Sequence, residues 1–127
     1  MTKKLFFICL IGLLSINSAW AKCDGGTEIT TKSGTFCKSN VIMNWWSAAT
    51  WCKANGRKLA TIYEICPSWD GSTGYYKCSE IEGTDDRPVW TATVSGMDYA
   101  FHLNPSYGGV NNDMGRDNTE YYSAFCK

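Results

Sequence analysis

The sequence has one histidine, three prolines and no net charge, since 12 Lys and Arg face 12 Asp and Glu among 127 residues. The basic residues are scattered among acidic ones along the chain. A nucleic-acid-binding domain normally presents a basic stripe or patch. We therefore expect no nucleic acid among the partners of this protein.

The shortage of histidine also limits enzyme chemistry. A catalytic nucleophile needs an adjacent base, and His102 is the only histidine. It lies in the β-prone run "YAFHLN", where we expect a half-exposed strand residue. The acidic pairs, Asp85 with Asp86 and Glu80 with Glu82, lie in a polar stretch in which carboxylates are normally solvated. We therefore predict that the protein is not an enzyme.

Long hydrophobic runs are missing after residue 21. The apolar run of residues 5–14 follows Lys3 and Lys4 and precedes the small-residue site "AWA", which together indicate a secretory signal peptide over residues 1–21. The run is shorter than the ~20 residues of a comfortable membrane span, although an uncleaved anchor is the alternative. We expect a mature domain of residues 22–127 that does not span a membrane and is secreted, periplasmic or at the cell surface.

Cysteine, in contrast, is abundant. Seven are present, and Cys9 lies in the predicted signal peptide. An even number of cysteines in a small exported domain predicts three disulfides, with fifteen pairings open at this level. A structural zinc site is disfavoured because the cysteine spacings are wide. The six cysteines of the mature chain are Cys23, Cys37, Cys52, Cys66, Cys78 and Cys126.

The first half of the mature chain predicts a hairpin and a helix. Two short β-prone runs in residues 27–38 flank a turn at Lys32-Ser33-Gly34. Asn44 is a helix N-cap and Asn55-Gly56 a helix stop, so a helix is predicted between them. Its apolar stripe at helical spacing consists of Trp45, Ala48, Ala49 and Cys52.

A second, short helix and a long loop follow. Thr61 and Glu64 have the spacing of a capping box, and Pro67 prevents the helix from extending. Residues 68–87 are rich in Gly, Ser, Thr and Asp and lack periodicity, which is typical of a loop. Loops of this length in small domains are normally functional or cross-linked.

The last third returns to strand-like sequence in "PVWTATV", "YAFHLN" and "EYYSAFCK". The residues between these runs are turn formers, with Gly108-Gly109 and Asn111-Asn112 the clearest. The order of the elements predicts an α+β fold with two short helices, antiparallel strands and a long loop.

Two stretches resemble a known fold and family. "WWSAATWCKANGRKLATIYE" resembles the first helix of the C-type lectin-like fold and the segment that leads into its second helix. "GRKLATIYEI", together with residues 89–127, is similar to the bacterial collagen-like-adhesin C-terminal (Lcl C-terminal) domain family. The resemblance covers residues 44–127 without the middle loop. Phe125 stands where that family often has an arginine, so no role of that arginine is carried over.

The resemblance implies a disulfide pattern and a function. It pairs Cys52 with Cys126, and the N-terminal hairpin of long-form C-type lectins implies a pair of Cys23 with Cys37. Cys66 and Cys78 then remain and would close the long loop. Adhesin domains bind surfaces, so the resemblance implies a glycan or protein surface as ligand. Together with the scarcity of catalytic residues, this leads us to expect a non-enzymatic adhesion module without a cofactor.

The aromatic residues of the Gly-rich loops are the candidate ligand contacts. Exposed Tyr and Trp side chains give a large contact area with a polar tip at a low entropic cost. We therefore expect the contact surface in residues 68–87 and 107–118. The candidate ligand-binding residues are Trp69, Tyr75, Tyr76, Tyr107, Asn112 and Asp113.

Two other functions remain open. The aromatic loops would also suit a structural subunit of an envelope or pilus-like assembly, in which they pack against neighbours. A calcium-dependent lectin is the third alternative, because calcium takes six to eight oxygen ligands. The side chains that would offer these oxygens are Asn112, Asp113, Asp117, Asn118 and Glu120.

Overall fold

The computed structural model describes residues 21–127, so the predicted signal peptide lies outside the described residues except for Ala21. This part of the chain is an α+β fold in which one mixed six-stranded sheet has the order β1-β2-β6-β3-β4-β5. None of its helices is long and apolar enough to cross a membrane. The elements are β1 (Gly26–Thr31), β2 (Gly34–Ile42), α1 (Trp45–Ala54), α2 (Ile62–Ile65), β3 (Val89–Ser95), β4 (Tyr99–Asn104), β5 (Gly109–Gly115) and β6 (Ser123–Cys126).

Local sequence signals account for the hairpin and both helices. Strands β1 and β2 pair from Gly26 to Thr31 around the expected turn. The Asn44 side chain accepts a hydrogen bond of 2.8 Å from the Ser47 amide, which caps α1. Thr61 and Glu64 form both bonds of the predicted capping box. The predicted hairpin and the two predicted helices are therefore confirmed.

The sheet is mixed, so the prediction of antiparallel strands alone is wrong. Strand β6 runs antiparallel to β2 but parallel to β3, with Val89 opposite Ser123. The reason is geometric. Since β2 and β3 run in opposite directions, a strand inserted between them must be parallel to one of the two.

Strand β5 occupies a stretch that the sequence predicts as turns. Its residues pair with β4 from Tyr99 opposite Gly115 to Asn104 opposite Gly109, with one irregularity in register. Asn and Asp disfavour strands only weakly, because strand propensity depends on context. Here the backbone pairing with β4 outweighs the side-chain preference, and the polar side chains are tolerated at the sheet edge.

Both faces of the sheet are covered by a hydrophobic core. Because neighbouring strand residues point to opposite sides of the sheet, each strand contributes side chains to both cores. One core lies on the side of α2 and the long loop, and the other lies on the side of α1. His102 is consequently buried, at 6% exposure, rather than half-exposed as expected. The first core includes Phe36, Val89, Leu103, Val110 and Phe125. The second includes Cys37, Trp90, Ala100, Ala124 and Cys126.

Three disulfides cross-link these layers. Cys52 in α1 is bonded to Cys126 in β6, and this bond spans 74 residues. Cys23 is bonded to Cys37, and Cys66 is bonded to Cys78 across 12 residues. These are the pairs that the resemblance implied. The long-range bond joins the first helix to the centre of the sheet, whereas the short one closes part of the loop before β3.

Candidate functional site

The long loop between α2 and β3 is fastened to the sheet along its length. The amide of Gly74 donates to the Val110 carbonyl over 2.9 Å, and the Val110 amide donates back over 3.0 Å. The Cys78 amide donates to the Gly108 carbonyl. A buried ion pair between Lys38 and Asp85 holds the end of the loop against β2. The loop therefore presents its outer side chains from a fixed backbone.

The clearest aromatic patch at this loop, called the tyrosine surface, comprises the exposed Tyr75 and Tyr76 and the half-buried Tyr107 from the turn between β4 and β5. Tyr75 and Tyr76 are 71% and 68% exposed. The Tyr75 ring lies 4.9 Å from that of Tyr107 and 6.4 Å from that of Tyr76, measured between ring centroids. The fold thus brings together three tyrosines from two segments about 30 residues apart in the chain.

Two glycines make room for this arrangement. Gly108 has φ +73°, and a Cβ there would lie 2.6 Å from the Cys78 carbonyl oxygen. A Cβ at Gly109 would collide with the Tyr107 ring. Gly108 and Gly109 therefore do more than form a turn. Because they have no side chains, the loop backbone at Cys78 and the Tyr107 ring can pack directly on them.

Tyr76 has an unusual backbone conformation. Its φ of 60° lies in the left-handed region, and it is the only residue other than glycine with positive φ in the described chain. Such a conformation is costly for an aromatic residue and persists only where the surroundings impose it. The adjacent Gly74 bridge and the Cys78 anchor supply that constraint, and the result is that the Tyr76 ring projects into solvent.

Trp69 does not join the tyrosine surface. It is only 8% exposed, and its indole N–H donates to the Ser72 carbonyl over 2.7 Å. Its ring packs against Phe101 and Tyr63 at centroid distances of 5.1 and 5.2 Å. The expected exposure of Trp69 is therefore wrong. Its Gly- and Ser-rich neighbours fold over the Trp69 ring. Burial of this large apolar side chain is favourable because its indole N–H keeps a hydrogen-bond partner.

Asn112 and Asp113 are exposed on β5, and the structure does not bring Asn112 together with the three tyrosines. The Asn112 amide donates to the Ser95 hydroxyl over 3.2 Å. One Asp113 carboxylate oxygen lies 3.7 Å from Nε2 of His102. Both side chains keep polar atoms accessible, so each remains able to bond a ligand.

A buried pair of rings lies beneath this surface. His102 and Tyr122 have ring centroids 4.5 Å apart. Burial lowers the pKa of His102, and the charge of Asp113 offsets this effect in part. Burial, with Asp113 and Tyr107 nearby, raises the pKa of Tyr122 to about 12. Asp113 and Tyr107 both act on Tyr122, so both lie beside this pair of rings. The His102 and Tyr122 rings are themselves uncharged at pH 7.

The carboxylates expected to bind calcium, those of Asp113, Asp117 and Glu120, do not form a cluster. Within residues 21–127, the one group of three His, Cys, Asp or Glu ligands consists of Cys66, Cys78 and Glu80. Its two cysteines are bonded to each other and are therefore not available to a metal. Asn118 uses its side-chain oxygen to accept the Glu120 amide over 3.0 Å. The calcium alternative stays open for experiment.

A second exposed patch was missed by the sequence reasoning. It is called the tryptophan surface and surrounds Trp46, which is 56% exposed in the first turn of α1. The signal that would have found it is the position of Trp46, which follows Trp45 directly and so lies off the buried stripe of the helix. The other residues of this surface are Val41, Ile42, Met97, Tyr99 and Arg116.

These features define a class of protein: a disulfide-stabilised α+β domain with aromatic surface patches, one of them on a cross-linked loop. Comparison with protein-family models gives no match for this chain. Comparison with curated protein sequences gives no match either. Any functional conclusion therefore has to come from the residues themselves.

Proposed function

We propose that the protein is an exported, non-enzymatic binding module that recognises a glycan or a protein surface through the tyrosine surface. The resemblance of its motifs to the C-type lectin-like fold and to the Lcl C-terminal adhesin domains supports this proposal. The three disulfides are compatible with an oxidising location outside the cytoplasm. Fold-level similarity does not by itself establish function, so the argument rests on the surface.

The observation that carries the proposal is the contact between Tyr75 and Tyr107. The exposed Tyr75 ring already packs on the half-buried Tyr107 ring, with the centroids 4.9 Å apart, so both rings lose little freedom when a ligand covers them. Binding affinity is greatest where the contact residues are ordered beforehand, because each free side chain costs ~0.5–1.5 kcal/mol to immobilise. The disulfide and the Gly74–Val110 bridge order the backbone beneath these rings.

The polar neighbours suit a ligand with hydroxyl or amide groups. Asp113, which borders Tyr122 as Tyr107 does, offers carboxylate oxygens that accept hydrogen bonds. An aromatic platform with such groups at its edge matches the apolar face and the hydroxyl rim of a sugar ring, and equally a polar protein surface.

The decisive experiment is a glycan and extracellular-matrix array, followed by titration of the strongest ligand. Tyr75→Ala and Tyr107→Ala are each expected to weaken binding at least ten-fold. Tyr63→Ala is the matched control, because Tyr63 is also exposed but lies on α2. Binding that survives both surface variants, or that Tyr63→Ala reduces equally, would overturn the proposal.

Calcium dependence has its own test. The melting temperature is expected to be the same in millimolar calcium and in EDTA, because a ligand that binds only the folded state must raise stability by mass action. A clear rise in calcium, lost in Asp113→Asn, would favour the calcium-dependent lectin instead.

A further inference from the structure

The tryptophan surface combines an apolar groove with a polar pocket, and Trp46 borders both. The groove has a volume of ≈ 570 Å³ and includes Val41 and Ile42 from the end of β2. The pocket has a volume of ≈ 410 Å³ and includes Met97 and Tyr99. Met97 is 86% exposed. Isolated apolar side chains on a surface are normal, but a contiguous group of this size marks an interaction site.

Arg116 is held in place beside Trp46 in this surface. Its guanidinium carbon lies 4.7 Å from the Trp46 ring centroid and 5.1 Å from that of Trp45. Within residues 21–127 no carboxylate lies within 4.0 Å of its guanidinium nitrogens. The cation is therefore fixed by two indoles and offers its outer N–H groups to a group from outside.

Two carboxylates line the same pocket without a cation of their own. Asp98 and Asp117 are both exposed, and in the described range neither forms an ion pair. The pocket thus carries one unpaired positive charge beside two unpaired negative charges. An acidic ligand would meet the two aspartates, and a basic ligand would meet Arg116, so neither matches the whole pocket.

A surface that carries charges of both signs can form ion pairs with a second copy of itself. In a two-fold contact each residue of one copy meets its counterpart region on the other. Arg116 of each copy would then face Asp98 and Asp117 of the other copy. The two Trp46 rings would be covered near the axis, with the apolar grooves beside them. We propose that the tryptophan surface is the interface of a symmetric homodimer.

The composition of the surface agrees with an interface between proteins. Trp, Tyr, Met and Arg are the residue types enriched in interfaces, and Trp, Tyr and Arg dominate their binding energy. The number of large side chains is small, so the contact falls at the lower end of the size range for specific interfaces. We accordingly expect a weak dimer.

This dimer does not depend on the proposed function. Tyr99 and Gly115 form one end of the β4–β5 pairing, and Asn104 and Gly109 form the other. At ~3.3 Å per residue the two ends are roughly 17 Å apart. The tyrosine surfaces would remain free in the dimer and would give it two ligand sites.

The test measures association of the exported protein, purified with its disulfides intact. Sedimentation velocity from 1 to 500 μM is expected to show a monomer–dimer equilibrium. Trp46→Ala should weaken the dimer at least ten-fold. Tyr63→Ala is the control and should leave it unchanged. A wild-type protein that stays monomeric at 500 μM would overturn the proposal, even if the groove proved to bind a glycan or another protein.

Charge reversal makes the test specific for the pairing. Arg116→Glu and the double variant Asp98→Arg/Asp117→Arg should each be monomeric at 100 μM, because like charges then face each other. Their equimolar mixture should form a heterodimer. Melting temperatures of the variants verify that each is folded. A mixture that stays monomeric, or single variants that still dimerise as well as the wild type, would exclude this interface.

Discussion

The two aromatic surfaces stand at opposite ends of the same strand pair and are built in different ways. The tyrosine surface rests on a loop that a disulfide, a two-bond bridge and an ion pair hold in place. The tryptophan surface rests on the first turn of a capped helix and the end of a strand. The first therefore depends on cross-links and the second on regular secondary structure.

This difference predicts which mutations will disrupt each surface. Cross-links act mainly by restricting the unfolded chain and fixing local geometry, so losing one would release the tyrosines and spare the rest. A helix in a small domain is stabilised largely by packing of its buried face. The tryptophan surface should consequently persist as long as α1 remains packed on the sheet, and the two surfaces should be separable by mutation.

The largest effect is expected from removing the disulfide between α1 and β6, because both surfaces depend on the fold that it stabilises. Cys52→Ala/Cys126→Ala opens a loop of 74 residues, for which chain entropy predicts a loss of about 4–5 kcal/mol. A total stability of roughly 5–15 kcal/mol leaves little margin. We expect a large drop in melting temperature with loss of both ligand binding and dimerisation. A variant that melts within a few degrees of the wild type would contradict the assigned role of this bond.

Removing the loop bond should separate the surfaces. Cys66→Ala/Cys78→Ala opens 12 residues, which corresponds to about 3 kcal/mol. Ligand binding by the tyrosine surface is expected to fall at least ten-fold, while the dimer constant changes less than two-fold under conditions where the protein is folded. Calorimetry measures the first quantity and sedimentation the second. Equal losses in both would show that the surfaces are coupled.

The converse change is the loss of the helix cap. Asn44→Ala removes the bond to the Ser47 amide and should cost about 1 kcal/mol. Because Trp46 lies in the first turn, the dimer should weaken more than ligand binding does. Asn44→Ser restores a capping side chain and should recover most of the loss. If Asn44→Ser is no better than Asn44→Ala, the cap is not the cause.

The smallest effect is a pH dependence confined to the tyrosine side. Burial lowers the pKa of His102 in the folded protein. Below the ordinary histidine pKa of about 6.5, the unfolded chain therefore binds a proton at this residue more readily than the folded chain does. Stability from this residue is complete above about pH 6.5 and declines as the pH falls towards the lowered value. Melting curves from pH 7.5 to 5 should show a flatter profile for His102→Gln, whereas an unchanged slope would assign the dependence to carboxylates.

Local signals in the sequence were enough for the capped helices and the hairpin. Asn44, Thr61 and Glu64 act on neighbouring amides within the same turn, so their positions alone fix the helix starts. The exposure of Tyr75 and Tyr76 was also predictable, because both lie in a Gly-rich loop with few apolar partners nearby in the sequence. The assembly of Tyr75 on Tyr107 was not predictable, since it depends on two glycines that approach the loop and the ring.

Long-range features were missed for a common reason. The strand character of β5 comes from pairing with β4 and Gly74 rather than from its own residues. The burial of His102 and Trp69 follows from layers that cover both faces of the sheet and the loop above it. These features are not encoded within one turn or one strand. The exposure of Trp46, in contrast, was readable from the helical stripe, because Trp46 lies one residue off it.

The central position of β6 has a consequence for the order of folding. Among the described strands β6 is made after the others, yet it joins the β1–β2 hairpin to the β3–β5 half of the sheet. Cys52 also has no partner for its long-range bond until Cys126 is available. The two halves of the sheet are therefore expected to come together only after residues 123–126 have been made, and a chain truncated before Ser123 should remain a target for proteolysis.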